Sequence, residues 1–343
     1  MKLLLVLCLC WIAKVLSETT LYSMVRTGQN PSVFQLSTIS IETGLILPVG
    51  NNETRLEIPG GPTSGLSAIY NDVFYYMGDN GQGTTKVVGL RLQDSTEVCT
   101  VELPELAEVS AVGAGQTLDV DWGSGNLIAT GPGSDAEDRK THIAFSIDPV
   151  QCTKARLSFS YGNADAFPLF HGNVINEGVL YTTVQDATTG YYAVQAVDIS
   201  GAADPYITME YTEKAIWGLN WLPDDGGKLA GIAQDSSGHL VVNAIENVLE
   251  PDETYWSSVS TETERKYNVI WGNDGAVSAM GGISGTSDVL YFMASRGPGD
   301  VTGVDIVGVC PIYGHEITAA PLHGDAYDLY GAACIYNLEA YDP

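Results

Sequence analysis

The chain has 343 residues, of which 42 are Asp or Glu and 15 are Lys or Arg, so its formal net charge at pH 7 is -27. Nucleic acids and anionic membrane surfaces bind positive patches, so this charge argues against both as partners. It favours cations, calcium above all, or simply high solubility.

The first 17 residues have the pattern of a secretory signal peptide. Lys2 supplies the positive start, residues 3–13 form the apolar run, and Val15-Leu16-Ser17 provides small or modest side chains for cleavage. The run is too short to span a bilayer, Lys14 interrupts it, and no later stretch is long and apolar enough to do so. We expect a secreted, extracellular chain in which residues 18–343 form one domain, with an uncleaved anchor as the alternative.

Six short apolar segments recur along the mature chain, and each follows a turn-forming or polar residue. Intervals of 53, 54, 52, 49 and 61 residues separate their apolar anchors, which are Leu21, Phe74, Ile128, Leu180, Leu229 and Leu290. A near-constant period of this size, filled with short strands, is typical of a β-propeller.

The second repeat shows the pattern of one four-stranded blade. Residues 72–77 predict its second strand, 86–92 the third and 97–103 the outer one, with turn-forming clusters between them. The later repeats predict matching pairs at 142–147 and 155–159, 192–197 and 206–211, 240–245 and 254–259, and 304–309 and 316–319. Helical periodicity is nearly absent, and residues 103–112 are the one modest helix or loop candidate.

The two ends of the mature chain complement each other. It opens on a second strand at Leu21 with no inner strand before it, and it ends on an unpaired strand at 327–336. Pairing these ends would remove exposed strand edges. The sequence therefore predicts an all-β, six-bladed propeller closed by the N- and C-terminal strands in one blade. Seven blades are the alternative, since residues 270–273 in the longest interval resemble residues 216–220.

Four cysteines follow the signal peptide: Cys99, Cys152, Cys310 and Cys334. An even number in an oxidising compartment predicts two disulfides, with three possible connectivities. Cys310 lies in the last full repeat and Cys334 in the strand that follows it. We therefore favour Cys310–Cys334 and, by elimination, Cys99–Cys152. The chain also carries one N-glycosylation sequon, at Asn52.

The sequence holds no strong catalytic motif, so the candidate site comes from the architecture. Inner strands surround the channel of a propeller, and residues one strand and a turn before each anchor should meet at one mouth. These positions include Asp119, Asp121, His171, Asn173, Trp217 and Asn220, and the C-terminal inner strand adds Asp325 and Asp328.

Each of these residue types has a distinct candidate role. Oxygen ligands suit calcium, so we assign a metal site to Asp119, Asp121, Asn173 and Asp325. The nearby histidine, His171, is the candidate catalytic base, and Trp217 and Asn220 are the candidate ligand-binding residues. The alternative is that these side chains cap strand ends and hold channel water, because buried polar groups need partners anyway.

The six-repeat plan, the signal peptide and the acidic channel positions resemble the six-bladed calcium-dependent lactonohydrolases and strictosidine-synthase-like propellers. The resemblance is architectural and covers the mature chain. It implies a channel calcium held by acidic and amide side chains of inner strands. It does not imply a particular activity, because one fold hosts many functions.

Two classes of function are open. One is a secreted enzyme, a calcium-assisted hydrolase or an oxidase, that acts on a small molecule at the channel mouth. The other is a non-enzymatic extracellular protein, either an acidic matrix or mineral-associated component or a ligand carrier. Acids that converge on the channel favour the enzyme, whereas acids spread over the outer surface favour the matrix protein. In both cases we expect a monomer.

Overall fold

The computed structural model describes residues 21–29, 32–50, 56–57, 62–79, 84–106, 117–121, 123–134, 140–157, 174–185, 192–199, 207–212, 217–222, 228–234, 240–246, 255–260, 284–286, 289–295, 304–309, 315–323 and 329–334. Regular structure in these ranges consists of β-strands, with no helix, which confirms the all-β prediction. Accordingly, these ranges contain no helix that could cross a membrane.

The described strands form six antiparallel sheets, numbered here 1 to 6. Sheet 1 contains β1 (Leu21–Gln29), β2 (Ser32–Ile39), β3 (Ile46–Pro48), β4 (Leu56–Glu57) and β25 (Leu329–Cys334). Sheet 2 contains β5 (Pro62–Tyr70), β6 (Val73–Asp79), β7 (Thr85–Arg91) and β8 (Glu97–Leu103). Sheet 3 contains β9 (Thr117–Asp121), β10 (Asn126–Ser134), β11 (Lys140–Asp148) and β12 (Thr153–Leu157).

The remaining three sheets follow in chain order. Sheet 4 contains β13 (Val174–Asn176), β14 (Val179–Gln185), β15 (Tyr192–Asp198) and β16 (Ile207–Thr212). Sheet 5 contains β17 (Trp217–Leu222), β18 (Lys228–Gln234), β19 (Leu240–Glu246) and β20 (Tyr255–Ser260). Sheet 6 contains β21 (Ser284–Thr286), β22 (Val289–Ser295), β23 (Val304–Val309) and β24 (Glu316–Pro321). Residues 270–273 lie outside the described ranges.

The first sheet joins the first and last described strands. In sheets 2 to 6 the four strands pair in sequence order, whereas in sheet 1 the C-terminal strand β25 takes the first position, beside β1. Leu21 pairs with Cys334 and Val25 with Leu329 in this antiparallel ladder. The predicted pairing of the terminal strands is therefore present.

The first strands of the six sheets are neighbours in a cyclic order. Contacts join β25 to β5, β5 to β9, β9 to β13, β13 to β17, β17 to β21, and β21 back to β25. Apolar clusters fill the spaces between sheets 1 and 2, 2 and 3, 3 and 4, 4 and 5, and 6 and 1. The described cores thus lie between sheets, and sheets 1 to 4 are covered on both faces.

The predicted anchors lie on the second strands of their sheets, but one of them is displaced by one residue from the position of the others. Leu21, Phe74, Leu180 and Leu229 are buried and pack against the preceding sheet. Ile128 is also buried, but it packs against sheet 4, the following one. Leu127 occupies the equivalent position, paired with Val120 and Ile147 and packed towards sheet 2. The anchor was placed one residue too late because both faces of β10 are apolar, so hydrophobicity alone cannot show which residue faces the preceding sheet.

In sheets 2, 3 and 4, the hairpin turn before the second strand marks which residue faces the preceding sheet. Asp72, Gly125 and Gly178 each lie two residues before an anchor and have φ values of 60°, 71° and 78°. Gly and Asp tolerate this left-handed conformation better than most residues. The sequence repeats the signal with Gly227 and Asp288, two residues before Leu229 and Leu290.

One disulfide connects neighbouring sheets. Cys99 on β8 of sheet 2 bonds to Cys152 at the β11–β12 turn of sheet 3, with their Cα atoms 5.5 Å apart. This confirms one of the two predicted pairs. Cys310 lies outside the described residues, so the pair with Cys334 stays a prediction.

Candidate functional site

Asp119 and Asp121 lie on β9 and face sheet 4. Asp119 pairs with Ile128, whose side chain packs into the cluster between sheets 3 and 4. Leu118 and Val120 point the other way and pack with sheet 2, as alternation along a strand requires. The two carboxylates therefore lie at an interface between sheets.

The carboxyl group of Asp119 bridges two sheets through backbone hydrogen bonds. The N–H of Ile175, on β13 of sheet 4, donates to its Oδ2 at 2.8 Å. The N–H of Val120 donates to its Oδ1 at 2.8 Å. Asp119 thus holds the first strand of sheet 4 against the first strand of sheet 3.

Asp121 shapes the turn that follows β9 and also reaches the next sheet. Its Oδ1 accepts hydrogen bonds from the N–H groups of Gly123 at 3.3 Å and Gly178 at 3.2 Å, and its Oδ2 accepts one from Ser124 Oγ at 2.6 Å. Its backbone carbonyl accepts the N–H of Gly125 at 2.8 Å. Because Gly178 belongs to the β13–β14 turn, Asp121 is a second link between sheets 3 and 4.

The surroundings of Asp119 raise the pKa of its carboxyl group into the neutral range. The side chain is deeply enclosed by protein, yet it keeps some accessible surface. Burial raises its pKa from 3.8 to about 7; the Ile175 and Val120 N–H groups oppose this increase, and the negative charge of Asp121 adds to it. With this pKa, both the neutral and the ionised form of Asp119 are populated near neutral pH, the range in which an acid–base group is most efficient.

Asn220 occupies the position on sheet 5 that Asp119 occupies on sheet 3. Asp119 pairs with the residue after the anchor Leu127, and Asn220 pairs with Ala230, the residue after the anchor Leu229. The equivalent positions on the other first strands are Ala68, Val174, Ser284 and Ala333. The structure thus sets Asp119 and Asn220 at one level of the cyclic array of first strands.

Several of the predicted site residues lie outside the described ranges. These are His171, Asn173, Asp325, Asp328 and the glycosylation residue Asn52. Trp217 begins β17 and pairs with Ile232 through its backbone, but its side chain is not among those described. Their roles stay predictions.

Sequence reasoning missed the backbone partners of the two aspartates. Ile175, Gly178 and Ser124 contact the carboxyl groups, and two of these partners act through main-chain N–H groups, which carry no residue-type signal. The turn after Asp121 did carry a signal, since aspartate followed by Gly-Ser-Gly favours a side-chain-capped turn. Within the described ranges, no group of three or more His, Cys, Asp or Glu residues could hold a metal ion.

Comparisons with known proteins identify a fold and no family. No family model and no curated protein matches the chain. The fucose-specific lectin from Aleuria aurantia is similar in structure, with a TM-score of 0.50 and 9% identity over 88% of this chain and 94% of the lectin.

A variant of the Aleuria aurantia lectin, solved in complex with alpha-methyl-L-fucoside, gives a similar match. Its TM-score is 0.50 at 8% identity, over 89% of this chain and 96% of the lectin. Identity this low carries information about the fold alone. The fold is therefore β-propeller-like, and no particular propeller superfamily is indicated.

Proposed function

We propose that the six sheets are the blades of a closed six-bladed β-propeller and that their first strands line a central channel. The cyclic contacts of the first strands and the pairing of β25 with β1 support this arrangement. It is tested by deleting residues 325–343, which removes β25 and leaves β1 as an open edge. A chain that ends at residue 334 keeps β25 and is the matched control. The longer deletion should aggregate or melt earlier, and an unchanged melting temperature would contradict closure.

The proposed function is binding of a small polar molecule at the channel side of sheets 3 to 5, with Asp119 as the central group. The observation that carries this proposal is the state of Asp119: enclosed, still partly accessible, and with a pKa of about 7. The remaining accessible surface would let a small polar molecule reach the carboxyl group. Asn220, the equivalent residue of sheet 5, is the proposed ligand-binding residue, because its side-chain amide offers a neutral donor and acceptor.

Calcium is part of the proposal because the donor chemistry fits a hard cation. A carboxylate offers about four lone-pair positions, and each oxygen of Asp119 accepts one hydrogen bond from the protein, so capacity is left. The negative charge of Asp121 acts against ionisation of Asp119, and a cation would relieve that repulsion. Asp119 and Asp121 would hold the ion, completed by the predicted ligands Asn173 and Asp325.

If the protein is an enzyme, its own residues suit acid–base chemistry on a hydroxyl or carbonyl compound. When bound, calcium would supply polarisation of a carbonyl or a water. Without a bound cation, Asp119 can accept a proton at its carboxyl oxygen and return it at neutral pH; with calcium bound, Asp119 stays ionised and cannot act as the base. His171 is the proposed second base. Together these groups favour a hydrolase over an oxidase, because the proposed chemistry moves protons and requires no electron acceptor.

A non-enzymatic binder is the second candidate, favoured by the net charge of -27. Such an excess of carboxylates attracts cations and mineral surfaces without any defined pocket. The Aleuria aurantia protein is a fucose-specific lectin, so a fold of this kind can serve binding. In this version the chain is a secreted acidic carrier or matrix component.

Calcium titration monitored by thermal unfolding tests the proposed site. Calcium should raise the melting temperature of the parent, because an ion bound only to the folded state stabilises it by mass action. Asp119→Asn should lose that increase while it still accepts the Ile175 N–H. The matched control is Asp148→Asn, since Asp148 also accepts backbone N–H groups, from Val150 and Gln151, but lies on the third strand of its sheet.

The outcomes separate the two candidates. An increase lost in Asp119→Asn and kept in Asp148→Asn supports the channel site. An equal increase in all three proteins places calcium on the acidic outer surface and favours the carrier.

Secretion completes the proposal. The Cys99–Cys152 disulfide fits an oxidising compartment. Expression in a secreting cell should release a monomer that begins at Glu18 and carries a glycan on Asn52, as N-terminal sequencing and mass spectrometry would show.

A further inference from the structure

In the described part of the chain, two buried glutamines have side-chain polar atoms without a hydrogen-bond partner in the protein. Gln195 on β15 is 1% exposed and Gln35 on β2 is 4% exposed. Among the described residues, Gln195 Oε1 has no donor and Gln35 Nε2 has no acceptor. Leaving such a group unpaired costs its full desolvation penalty, so each position requires a physical explanation.

Gln195 faces sheet 3 within a group of buried polar residues. It pairs with Thr182, and the adjacent pair, Leu180 with Val197, packs in the cluster between sheets 3 and 4. Thr130 follows the same face of β10 as Ile128 and is fully buried. We call Thr130, Thr182 and Gln195 the first polar seam.

Gln35 lies in a similar group on the far side of the cyclic array. It shares a face of sheet 1 with Ile39, which packs in the cluster towards sheet 6. Ser23 and Ser37 pair on this face and are buried. Ser23, Gln35 and Ser37 form the second polar seam, which repeats the plan of a glutamine among hydroxyl groups.

We propose that each polar seam holds an ordered water molecule, hydrogen-bonded to Gln195 Oε1 in the first and to Gln35 Nε2 in the second. The two orphan atoms need opposite partners, a donor at Gln195 and an acceptor at Gln35. Water can be either, whereas a bound cation could serve only Gln195 and an anion only Gln35. Folded proteins hold about one buried water per 27 residues, most often at polar groups that the chain leaves unpaired.

Methionine substitutions test the proposal because they keep the length of the side chain and remove the amide. Gln195→Met and Gln35→Met should each lower the melting temperature by a few degrees, since the trapped water then loses a partner. Oxygen-17 relaxation dispersion should count one fewer long-lived water in each variant. Gln93→Met is the matched control, because Gln93 is exposed, and neither quantity should change.

The opposite results would overturn the proposal. If the two amides are unpaired, methionine removes a penalty, so the melting temperature rises and the water count stays the same. A high-resolution crystal structure of the parent provides a measurement that does not depend on the variants folding. Water density within hydrogen-bond distance of both atoms supports the proposal, and dry seams, or a melting temperature of the parent that depends on the monovalent cation, contradict it.

Discussion

Both faces of sheet 3 are buried, but different kinds of interaction hold them against sheets 2 and 4. The face towards sheet 2 is apolar, with Leu118, Leu127 and Phe145 in one cluster, and the Cys99–Cys152 disulfide reinforces it. The face towards sheet 4 combines a smaller apolar cluster with the hydrogen bonds of Asp119 and Asp121. Hydrophobic contact is non-directional and independent of pH, whereas the carboxylate bonds are directional and titratable.

The difference indicates where this molecule tolerates polar groups. A site that needs carboxyl groups with a pKa near 7 must bury them, and burying a carboxylate lowers the stability of the folded protein. The apolar interface on the other face of the same sheet offsets that loss. In sheet 3, the polar interface therefore lies back to back with an apolar one.

The largest expected effect is on the apolar face. Phe145→Ala should lower the free energy of unfolding by about 3–5 kcal/mol, because it removes a fully buried ring and leaves a cavity. Chemical denaturation measures the change. Val150→Ala is the control, since Val150 is 82% exposed and its change should be close to zero. A loss below about 1 kcal/mol for Phe145→Ala would mean that the two interfaces are not as different as described.

The disulfide should contribute somewhat less. The double variant Cys99→Ala/Cys152→Ala should lose about 2–4 kcal/mol, because the unfolded chain regains the freedom that the cross-link removed. Thermal unfolding with and without dithiothreitol gives the comparison. The reductant should lower the melting temperature of the parent more than that of the variant, in which only the predicted Cys310–Cys334 bond is left to reduce. Equal sensitivity of both proteins would show that the bond does not stabilise this interface.

The polar face should respond to pH. The pKa of Asp119 is raised in the folded protein, so folding favours its protonated form. This stabilisation is complete below the unfolded value of 3.8 and is lost as pH rises through about 7. The full shift corresponds to at most about 4 kcal/mol, and residual solvent access should reduce it to roughly 2 kcal/mol.

Urea unfolding between pH 4 and 8 measures this dependence. Asp119→Asn should flatten the profile and be more stable than the parent at pH 8. Asp148→Asn should keep the slope of the parent. A steep profile that survives in Asp119→Asn would assign the titration to another group.

The smallest effect concerns the turn after β9. Ser124→Ala removes the 2.6 Å hydrogen bond to Asp121 Oδ2 and should lower the free energy of unfolding by about 1 kcal/mol. Thr100→Ala is the control, because its hydroxyl bonds to the exposed Glu97 on the outer strand β8 at 2.7 Å and should matter less. Equal losses in calorimetry would show that Asp121 does not depend on this bond.

Strand order and strand pairing could be predicted because they depend on local patterns. The repeat placed second strands at Leu21, Phe74, Leu180 and Leu229, and the unpaired ends predicted the β1–β25 ladder. The third anchor was placed at Ile128 instead of Leu127 because a strand buried on both faces has no polar side to mark its orientation.

The candidate site was only partly predictable. Asp119 and Asp121 were identified from their distance to an anchor, and Asn220 by the same rule. The hydrogen bonds of Asp119 to Ile175 and of Asp121 to Gly178 depend on how sheets 3 and 4 meet, which is a non-local property. The raised pKa of Asp119 follows from that enclosure, so sequence alone could not indicate it.

The β1–β25 ladder also constrains how the chain folds as it is synthesised. Sheets 2 to 6 are built from strands that follow one another, so each can form soon after its last strand emerges. β1 is made before the other strands, yet its partner β25 spans residues 329–334 and is made after them. One edge of β1 therefore stays open until residues 329–334 have been synthesised, and during that time it is exposed to chaperones and to pairing with a second chain.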